Sequence, residues 1–89
     1  MRRIRPTSRF RKDVRRMLKR GADEKKLTAI IGALATDDSL PPQARPHPLV
    51  GDWKGYMECH IAPDWLLIYQ LADDELILIR TGTHADLFR

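Results

Sequence analysis

The sequence predicts an α+β fold in which two N-terminal helices form a hairpin packed on one face of a small antiparallel β-sheet. Three observations predict this class. Apolar residues recur at helical spacing in residues 8–34, a proline-rich segment follows, and short apolar or alternating runs fill residues 55–82. The 89 residues are expected to form one small domain, residues 1–89, with no room for a second core.

The first third of the chain is predicted to contain a short edge strand and two helices. The strand is "RRIRP", ended by Pro6. Ser8 is expected to cap the first helix, Gly21 to end it, and Asp23 to begin the second. The apolar stripes consist of Phe10, Val14, Met17 and Leu18 in the first helix and Leu27, Ile30, Ile31 and Leu34 in the second. The short connection between the helices implies an antiparallel hairpin.

A stiff linker and a strand meander are predicted to follow. The linker "DDSLPPQARPHPL" contains four prolines and should be extended. The alternating strand "GYMECHI" has Tyr56, Glu58 and His60 on one face and Met57, Cys59 and Ile61 on the other. "WLLIYQL" forms the next strand, and "LILIRT" is apolar enough to be central. Gly82 should break this last strand just before His84.

The charge distribution predicts a polyanionic partner. Residues 1–26 carry 12 Lys or Arg and 3 Asp or Glu, about +9, whereas residues 27–89 carry 4 and 9, about −5. Such a cationic element suits nucleic acid or an acidic protein. A single cysteine, Cys59, excludes an internal disulfide and favours a reducing cytoplasm. The sequence shows neither a signal peptide nor an apolar run long enough for a membrane span, so no membrane partner is expected.

Polar residues of the second half could carry out acid–base chemistry on a phosphodiester. All three histidines lie there: His47 is on the linker, His60 ends a strand and His84 follows another. Asp64 lies at the hairpin after His60, and Arg80 ends the last strand. Histidine exchanges protons near neutral pH, and a guanidinium can stabilise the charge of a phosphorane-like transition state. Trp65, Tyr56 and Phe88 offer rings for stacking unpaired bases. Together these residue types suit a metal-independent RNase that uses the ribose 2′-OH as an internal nucleophile.

Structural roles compete with this interpretation at several positions. A histidine at a strand end is often a half-buried hydrogen-bonding residue, and Glu58 is expected to be a solvated strand residue. Trp53 and Cys59 are expected to pack in the core. A zinc site is disfavoured because His47, His60 and His84 lack close ligand pairs and Cys59 should face away from His60. We therefore predict neither a metal nor another cofactor.

The sequence resembles the RelE superfamily of bacterial toxins, and within it the YafQ-type branch of toxin–antitoxin ribonucleases. The segment "TSRFRKDVRRMLKRGADEKKL" is similar to the basic helical hairpin of that family. More specific are the blocks "LPPQARPHPLVGDWKGYMECHIAPDWLLIYQL" and "LILIRTGTHADLF". The resemblance implies a RelE-like fold and an endoribonuclease that cuts messenger RNA in the ribosomal A site without metal. It also implies a cognate antitoxin that wraps the toxin and links it to operator DNA.

The resemblance also implies roles for individual residues. The catalytic positions are His47, His60, Asp64, Arg80 and His84, and the substrate-binding positions are Trp65 and Phe88. We expect His84 to protonate the leaving 5′-oxygen while Arg80 stabilises the phosphorane. His60, His47 and Asp64 remain candidates for the general base, and we favour His60. The expected products are a 2′,3′-cyclic phosphate, or its 3′-phosphate, and a 5′-hydroxyl.

The basic N-terminal helix is expected to bind ribosomal RNA without choosing the cut site. The predicted contact residues are Arg11, Lys12, Arg15, Arg16, Lys19 and Arg20. Two other classes of function are weighed against this one. A non-catalytic module that binds an antitoxin or RNA would not need the histidine set. A DNA-binding regulator would need a recognition pattern that the basic helix lacks.

Overall fold

The computed structural model describes residues 1–88. Its helices are α1 (Ser8–Lys19), α2 (Glu24–Thr36) and α3 (His84–Leu87), with two 3₁₀ turns at Pro42–Ala44 and Gly51–Trp53. Its strands are β1 (Arg3–Pro6), β2 (His47–Pro48), β3 (Met57–Ala62), β4 (Trp65–Leu71) and β5 (Glu75–Gly82). Within residues 1–88 the strands form a single sheet in the order β1-β5-β4-β3-β2. The predicted α+β class is confirmed.

The sheet is mixed, whereas a purely antiparallel one is predicted. Strands β2 to β5 pair antiparallel, but β1 runs parallel to β5, from Arg3 opposite Glu75 to Pro6 opposite Leu78. A parallel pair requires a long crossover connection, and the chain between β1 and β5 supplies it through the helices and the meander. The predicted edge strand is confirmed. β5, predicted to be central, lies inside the sheet between β1 and β4, and β4 is the central strand.

The ends of α1 and α2 follow from local hydrogen bonding. Thr7, and not the predicted Ser8, caps α1, because its hydroxyl accepts a hydrogen bond from the Phe10 amide at 3.2 Å. Asp23 caps α2 as predicted and accepts from the Lys25 amide at 3.0 Å. Gly21 follows α1 with φ of 91°, a left-handed conformation that glycine adopts without strain. None of the helices in residues 1–88 is long and apolar enough to cross a membrane.

The linker between α2 and β3 is more structured than the predicted extended segment. It contains a 3₁₀ turn at Pro42–Ala44 and the two-residue strand β2, which pairs His47 with Glu58. Proline fits the first turn of such a helix because its missing N–H has no partner to lose there. Ala44 is buried and anchors the turn against the core. The linker therefore holds His47 at a defined register beside β3.

Two apolar cores cover the two faces of the sheet. Both helices pack on one face, where Phe10, Met17, Leu27 and Ile30 meet strand residues that include Cys59. The other face has a smaller core around Leu66, Ile68 and Leu87. Cys59 is fully buried, as predicted, and burial raises the pKa of its thiol to about 12. The alternation of β3 therefore puts Glu58 and His60 on the face opposite to Cys59.

Trp65 is a core residue and does not present a ring to the surface. It is 4% exposed, and its indole nitrogen donates a hydrogen bond to the Thr81 hydroxyl at 2.8 Å. That hydroxyl donates in turn to the carbonyl oxygen of Leu66 at 2.6 Å. The sequence-based expectation that Trp65 binds substrate by stacking is corrected on this point, because neither face of the ring is open to a base.

α1 covers the edge of β5 where β1 ends. Beyond Pro6 the amide of Thr81 would lack a strand partner, and it donates instead to the carboxylate of Asp13 at 3.2 Å. Asp13 is 1% exposed, although it lies in a helix otherwise rich in cations. Beyond the end of β1, α1 is therefore the neighbour of β5, and the buried Asp13 side chain makes the contact.

Candidate active site

His84 and Asp64 form a hydrogen-bonded pair at one end of the sheet. His84 begins α3, which the sequence analysis does not predict, and Asp64 lies in the turn between β3 and β4. Asp64 Oδ1 lies 2.7 Å from His84 Nδ1 and 3.1 Å from the His84 amide. Hydrogen bonds from the ring and the amide of His84 hold the pKa of the Asp64 carboxyl below its usual value. Because a carboxylate only accepts, Nδ1 carries the proton, and within residues 1–88 Nε2 has no hydrogen-bond partner.

His60 lies beside this pair. Its ring centroid is 6.1 Å from that of His84, with the two ring planes at 53°. Among residues 1–88, no side chain or backbone group forms a hydrogen bond with the His60 ring. Both ring nitrogens of His60 are therefore available for proton transfer, and the His60 ring is a direct neighbour of the His84 ring.

His47 is held by two hydrogen-bond acceptors. Its Nδ1 lies 2.8 Å from the carbonyl oxygen of Arg45, and its Nε2 lies 3.1 Å from Glu58 Oε1. Both ring nitrogens of His47 therefore have a partner. The contact between Nε2 and Glu58 Oε1 is a hydrogen bond when one of these two atoms carries a proton. The prediction that Glu58 is solvated is wrong, since the residue is 6% exposed and its Oε2 is buried without a partner in residues 1–88.

Arg80 is fixed by Asp13 from α1. Its Nε and Nη2 donate to the two oxygens of Asp13 at 2.9 and 3.0 Å, a bidentate pair. The hydrogen bond to Asp13 raises the pKa of the Arg80 guanidinium. In residues 1–88 no hydrogen bond or ion pair joins Arg80 to a histidine, and its Nη1 has no partner. The sequence analysis does not identify Asp13, the residue that orients this cation.

Phe88 keeps part of its ring exposed next to other aromatic residues. Its side chain is 39% exposed, and its centroid lies 6.2 Å from that of Trp53 in an edge-on arrangement. Trp53 also contacts Tyr56 edge-on at 5.7 Å and packs against the smaller core, which confirms the packing expected of Trp53. Phe88 is therefore positioned by an aromatic neighbour and still offers apolar surface to a ligand.

The six cations predicted to contact RNA do not form one uniform set. Arg20 donates to both oxygens of Asp86 at 2.7 and 3.3 Å, and Arg16 lies 3.8 Å from the same carboxylate. No ion pair in residues 1–88 involves the other four, which are Arg11, Lys12, Arg15 and Lys19. A surface groove is lined by five of the six cations, Lys12, Arg15, Arg16, Lys19 and Arg20. This cationic groove suits a polyanion, although two of its residues already have an acidic partner.

Acid should destabilise the fold partly through Asp86. Hydrogen bonds from Arg20 and from the Thr83 amide hold the pKa of the Asp86 carboxyl well below its usual value. Because the folded pKa is lowered, this stabilisation is present above the ordinary aspartate pKa of about 4 and is lost as the pH falls further. The thermal unfolding midpoint should therefore fall on acidification, and it should fall less in Asp86→Asn. Equal acid sensitivity of the two proteins would contradict this assignment.

Comparison with known proteins agrees with the fold. The sequence profile of one family, described as bacterial toxin of type II toxin–antitoxin system, YafQ, matches residues 2–89. The mRNA interferase toxin YafQ of Escherichia coli K12 is 46% identical over 80 residues, which cover 89% of this chain and 87% of the relative.

Solved structures of relatives have the same fold. The crystal structure of YafQ from E. coli BL21(DE3) superposes with a TM-score of 0.93 at 42% identity, covering 100% of both chains. YafQ in the E. coli DinJ–YafQ toxin–antitoxin complex gives 0.90 at 44% identity, covering 99% of this chain and 98% of that one. The resemblance inferred from the sequence is thus confirmed, as is the enzyme class that it implies. The chain therefore belongs to the YafQ family of toxins of bacterial type II toxin–antitoxin systems, a family of mRNA interferases.

Proposed function

We propose that this toxin is a metal-independent endoribonuclease that cuts messenger RNA in the ribosomal A site and thereby arrests translation. The observation that carries the proposal is the cluster of His60, His84 and Asp64, in which one histidine has free nitrogens and the other is oriented by a carboxylate. Such a pair can remove one proton and deliver another across a scissile phosphate. The ribose 2′-OH then serves as the nucleophile, which makes RNA the substrate.

His84 is the general acid in this proposal. Its Nδ1–H is bonded to Asp64, so the imidazolium can release the proton on Nε2 to the leaving 5′-oxygen as the P–O5′ bond breaks. Asp64 sets the orientation of the ring and stabilises the imidazolium before transfer. Because both side chains are more than half exposed, a bulky substrate can reach them without a large rearrangement.

His60 is the general base. It takes the proton of the 2′-OH, whose oxygen attacks phosphorus, and the products are a 2′,3′-cyclic phosphate and a 5′-hydroxyl. His47 suits this role less well, because accepting a proton would require it to break a contact with Arg45 or Glu58. Asp64 suits it less well because its Oδ1 is already shared by the ring and the amide of His84. The hydrogen bonding thus favours the base that the sequence analysis also favours.

Arg80 and Phe88 complete the proposed site. With Nε and Nη2 bound to Asp13, Arg80 can direct Nη1 toward the phosphate whose negative charge grows in the transition state. The exposed part of Phe88 can stack on an unpaired base. Glu58 lies two residues from His60 on the same face of β3, and with its β2 partner His47 it forms a hydrogen-bonded acid–base pair at the border of the site.

The cationic groove of α1 is proposed to bind ribosomal RNA. Reversing Lys12, Arg15 and Lys19 together to glutamate should weaken ribosome binding and flatten its salt dependence, by about 0.7–0.9 in the log–log slope per lost phosphate contact. The measurement is the affinity for purified ribosomes over a salt series. Lys54→Glu, an exposed reversal far from α1 in sequence, is the control. Unchanged affinity in the triple variant would remove α1 from the interface.

The proposed partners are the ribosome with its messenger and a cognate antitoxin. A relative is found in complex with DinJ, which supports an antitoxin for this chain as well. We propose that the antitoxin, and not the toxin, supplies the contacts to operator DNA. The single, buried cysteine and the ribosomal substrate suit a cytoplasmic location.

Primer extension on a translated messenger after induced expression tests this function. The expected result is a set of cuts in codon register with 5′-hydroxyl ends, absent from an Arg80→Ala, His84→Ala double variant. Cutting of free RNA outside any reading frame would overturn the A-site proposal. Growth arrest and ribosome binding without any cut would identify a non-catalytic binding module instead.

A further inference from the structure

Asp86 is built into the turn that presents His84. It is the third residue of α3, and it forms a capping box with Thr83. The Asp86 amide donates to the Thr83 hydroxyl at 3.2 Å, and the Thr83 amide donates to Asp86 Oδ2 at 3.0 Å. His84 is the residue that directly follows the cap. The Asp86 side chain therefore restrains the turn by which α3 leaves β5, and this turn carries His84.

Asp86 also ties this turn to α1. Arg20 binds both of its oxygens, and Arg16 approaches Oδ2 at 3.8 Å. Residue 82, a glycine, leaves room for this contact. A Cβ at Gly82 would lie 3.0 Å from both Cβ and Oδ2 of Asp86 and 3.2 Å from Arg16 Nη2. The side chain of Asp86 is only 10% exposed, whereas that of Arg20 is 47% exposed and stays within reach of a ligand.

The same two arginines line the cationic groove. Arg16 and Arg20 stand beside Lys12, Arg15 and Lys19 along α1. Asp86 binds Arg20 directly, whereas the nearer acidic partner of Arg16 is Asp13, whose Oδ1 accepts from Arg16 Nη2 at 3.1 Å. The Asp86 carboxylate therefore lowers the charge that the groove can offer to a phosphate backbone, chiefly at Arg20. An RNA phosphate and Asp86 compete for the Arg20 guanidinium.

We propose that Asp86 is a positioning residue with two opposing effects: it holds His84 in place against Asp64, and it withholds Arg20 from RNA. The inference rests on the proposed function, because it assumes that His84 acts on RNA bound along α1. It makes the unusual prediction that one substitution weakens catalysis and strengthens RNA binding.

Asp86→Asn is the substitution that tests this. The amide keeps the size of the side chain but loses its charge, its hold on Arg20 and half of its accepting capacity. We expect the single-turnover cleavage rate on programmed ribosomes to fall at least about 10-fold, since a displacement of about 1 Å can cost as much as 10²-fold. Affinity for the same ribosomes should rise, with a log–log salt slope steeper by about 0.7–0.9 per phosphate gained. Affinity is measured with a messenger carrying a 2′-deoxy nucleotide at the cut, which lacks the nucleophile.

Three further variants separate positioning from general damage to the fold. Asp73→Asn makes the same charge change at an exposed turn between β4 and β5 and should leave the cleavage rate unchanged. Asp86→Glu keeps the charge and the capping box and should restore most of the rate. Gly82→Ala, whose Cβ crowds Asp86 and Arg16, should reproduce the split between rate and affinity without changing any charge.

Failure of the role proposed for Asp86 and failure of the proposed RNase function give different results. If the wild type does not cut on the ribosome, the proposed function is wrong. If the wild type cuts and Asp86→Asn cuts equally fast, Asp86 does not position His84. If rate and affinity fall together in both Asp86→Asn and Gly82→Ala, Asp86 has a merely structural role. The imidazole ¹H–¹⁵N spectrum of His84 adds a readout independent of activity, because the Nδ1–H bonded to Asp64 should exchange faster in Asp86→Asn.

Discussion

Replacing His84 by glutamine should lower the single-turnover rate of messenger cleavage by about 10²–10⁴, the usual contribution of a general acid. Glutamine can still bond to Asp64 but has no proton to give to the 5′-oxygen. The fold should be little affected, because the His84 side chain is 57% exposed and the cap of α3 comes from Thr83 and Asp86. The measurement is quench-flow cleavage on programmed ribosomes with protein in excess.

Asp64→Asn provides the matched comparison. The asparagine still accepts a hydrogen bond from the His84 ring, but more weakly than the carboxylate. The cleavage rate of Asp64→Asn should therefore fall measurably, but less than that of His84→Gln. A His84→Gln protein that cuts at the wild-type rate would transfer the acid role to another residue, with His47 next to be tested. Products that carry 5′-phosphate ends would overturn the internal-nucleophile scheme for all of these residues.

Replacing Asp13 by alanine should lower the free energy of unfolding by about 3–5 kcal/mol, the cost of breaking a buried ion pair by removing one partner. Asp13 accepts from Arg80, Arg16 and the Thr81 amide. Without it, an Arg80 guanidinium that is 13% exposed loses its counter-ion, and a buried amide loses its acceptor. For a domain of this size each kcal/mol corresponds to about 4–8 °C in Tm.

Urea and thermal unfolding of three proteins test this prediction. Asp13→Asn should lie between the wild type and Asp13→Ala, because an amide keeps one accepting oxygen but not the charge. Asp73→Ala, at an exposed turn, should remain within about 0.5 kcal/mol of the wild type. A loss below about 1 kcal/mol in Asp13→Ala would mean that α1 is held to β5 by apolar packing alone.

Local signals in the sequence account for most of the fold. The apolar stripes of α1 and α2 and the alternation of β3 predict elements that the structure contains. The parallel pairing of β1 with β5 has no local signal, because it joins segments about 70 residues apart. The cap at Thr7 was missed because Thr7 and Ser8 are both good capping residues, and tertiary bonds to Leu78 and Ile79 favour Thr7.

The candidate site was less accessible to sequence reasoning than the fold. Two local signals in the sequence do point to parts of the site. Asp13 lies three residues after Phe10 and four before Met17, so a lone acid interrupts the apolar stripe of a cationic helix. Thr83 and Asp86 have the spacing of a capping box, which predicts a helix beginning at His84, the observed α3. The bond between His47 and Glu58 could not be anticipated, because it depends on the register of a two-residue strand.

The edges of the sheet determine how readily free toxin meets its own copies. β1 is four residues long and ends in Pro6, and β2 is two residues long and ends in Pro48. Proline has no amide hydrogen, so each edge strand presents few backbone donors. β1 also carries arginines on both sides of Ile4, which makes that edge cationic. A neighbouring chain finds little backbone with which to extend the sheet. The free protein is therefore expected to resist strand-to-strand aggregation.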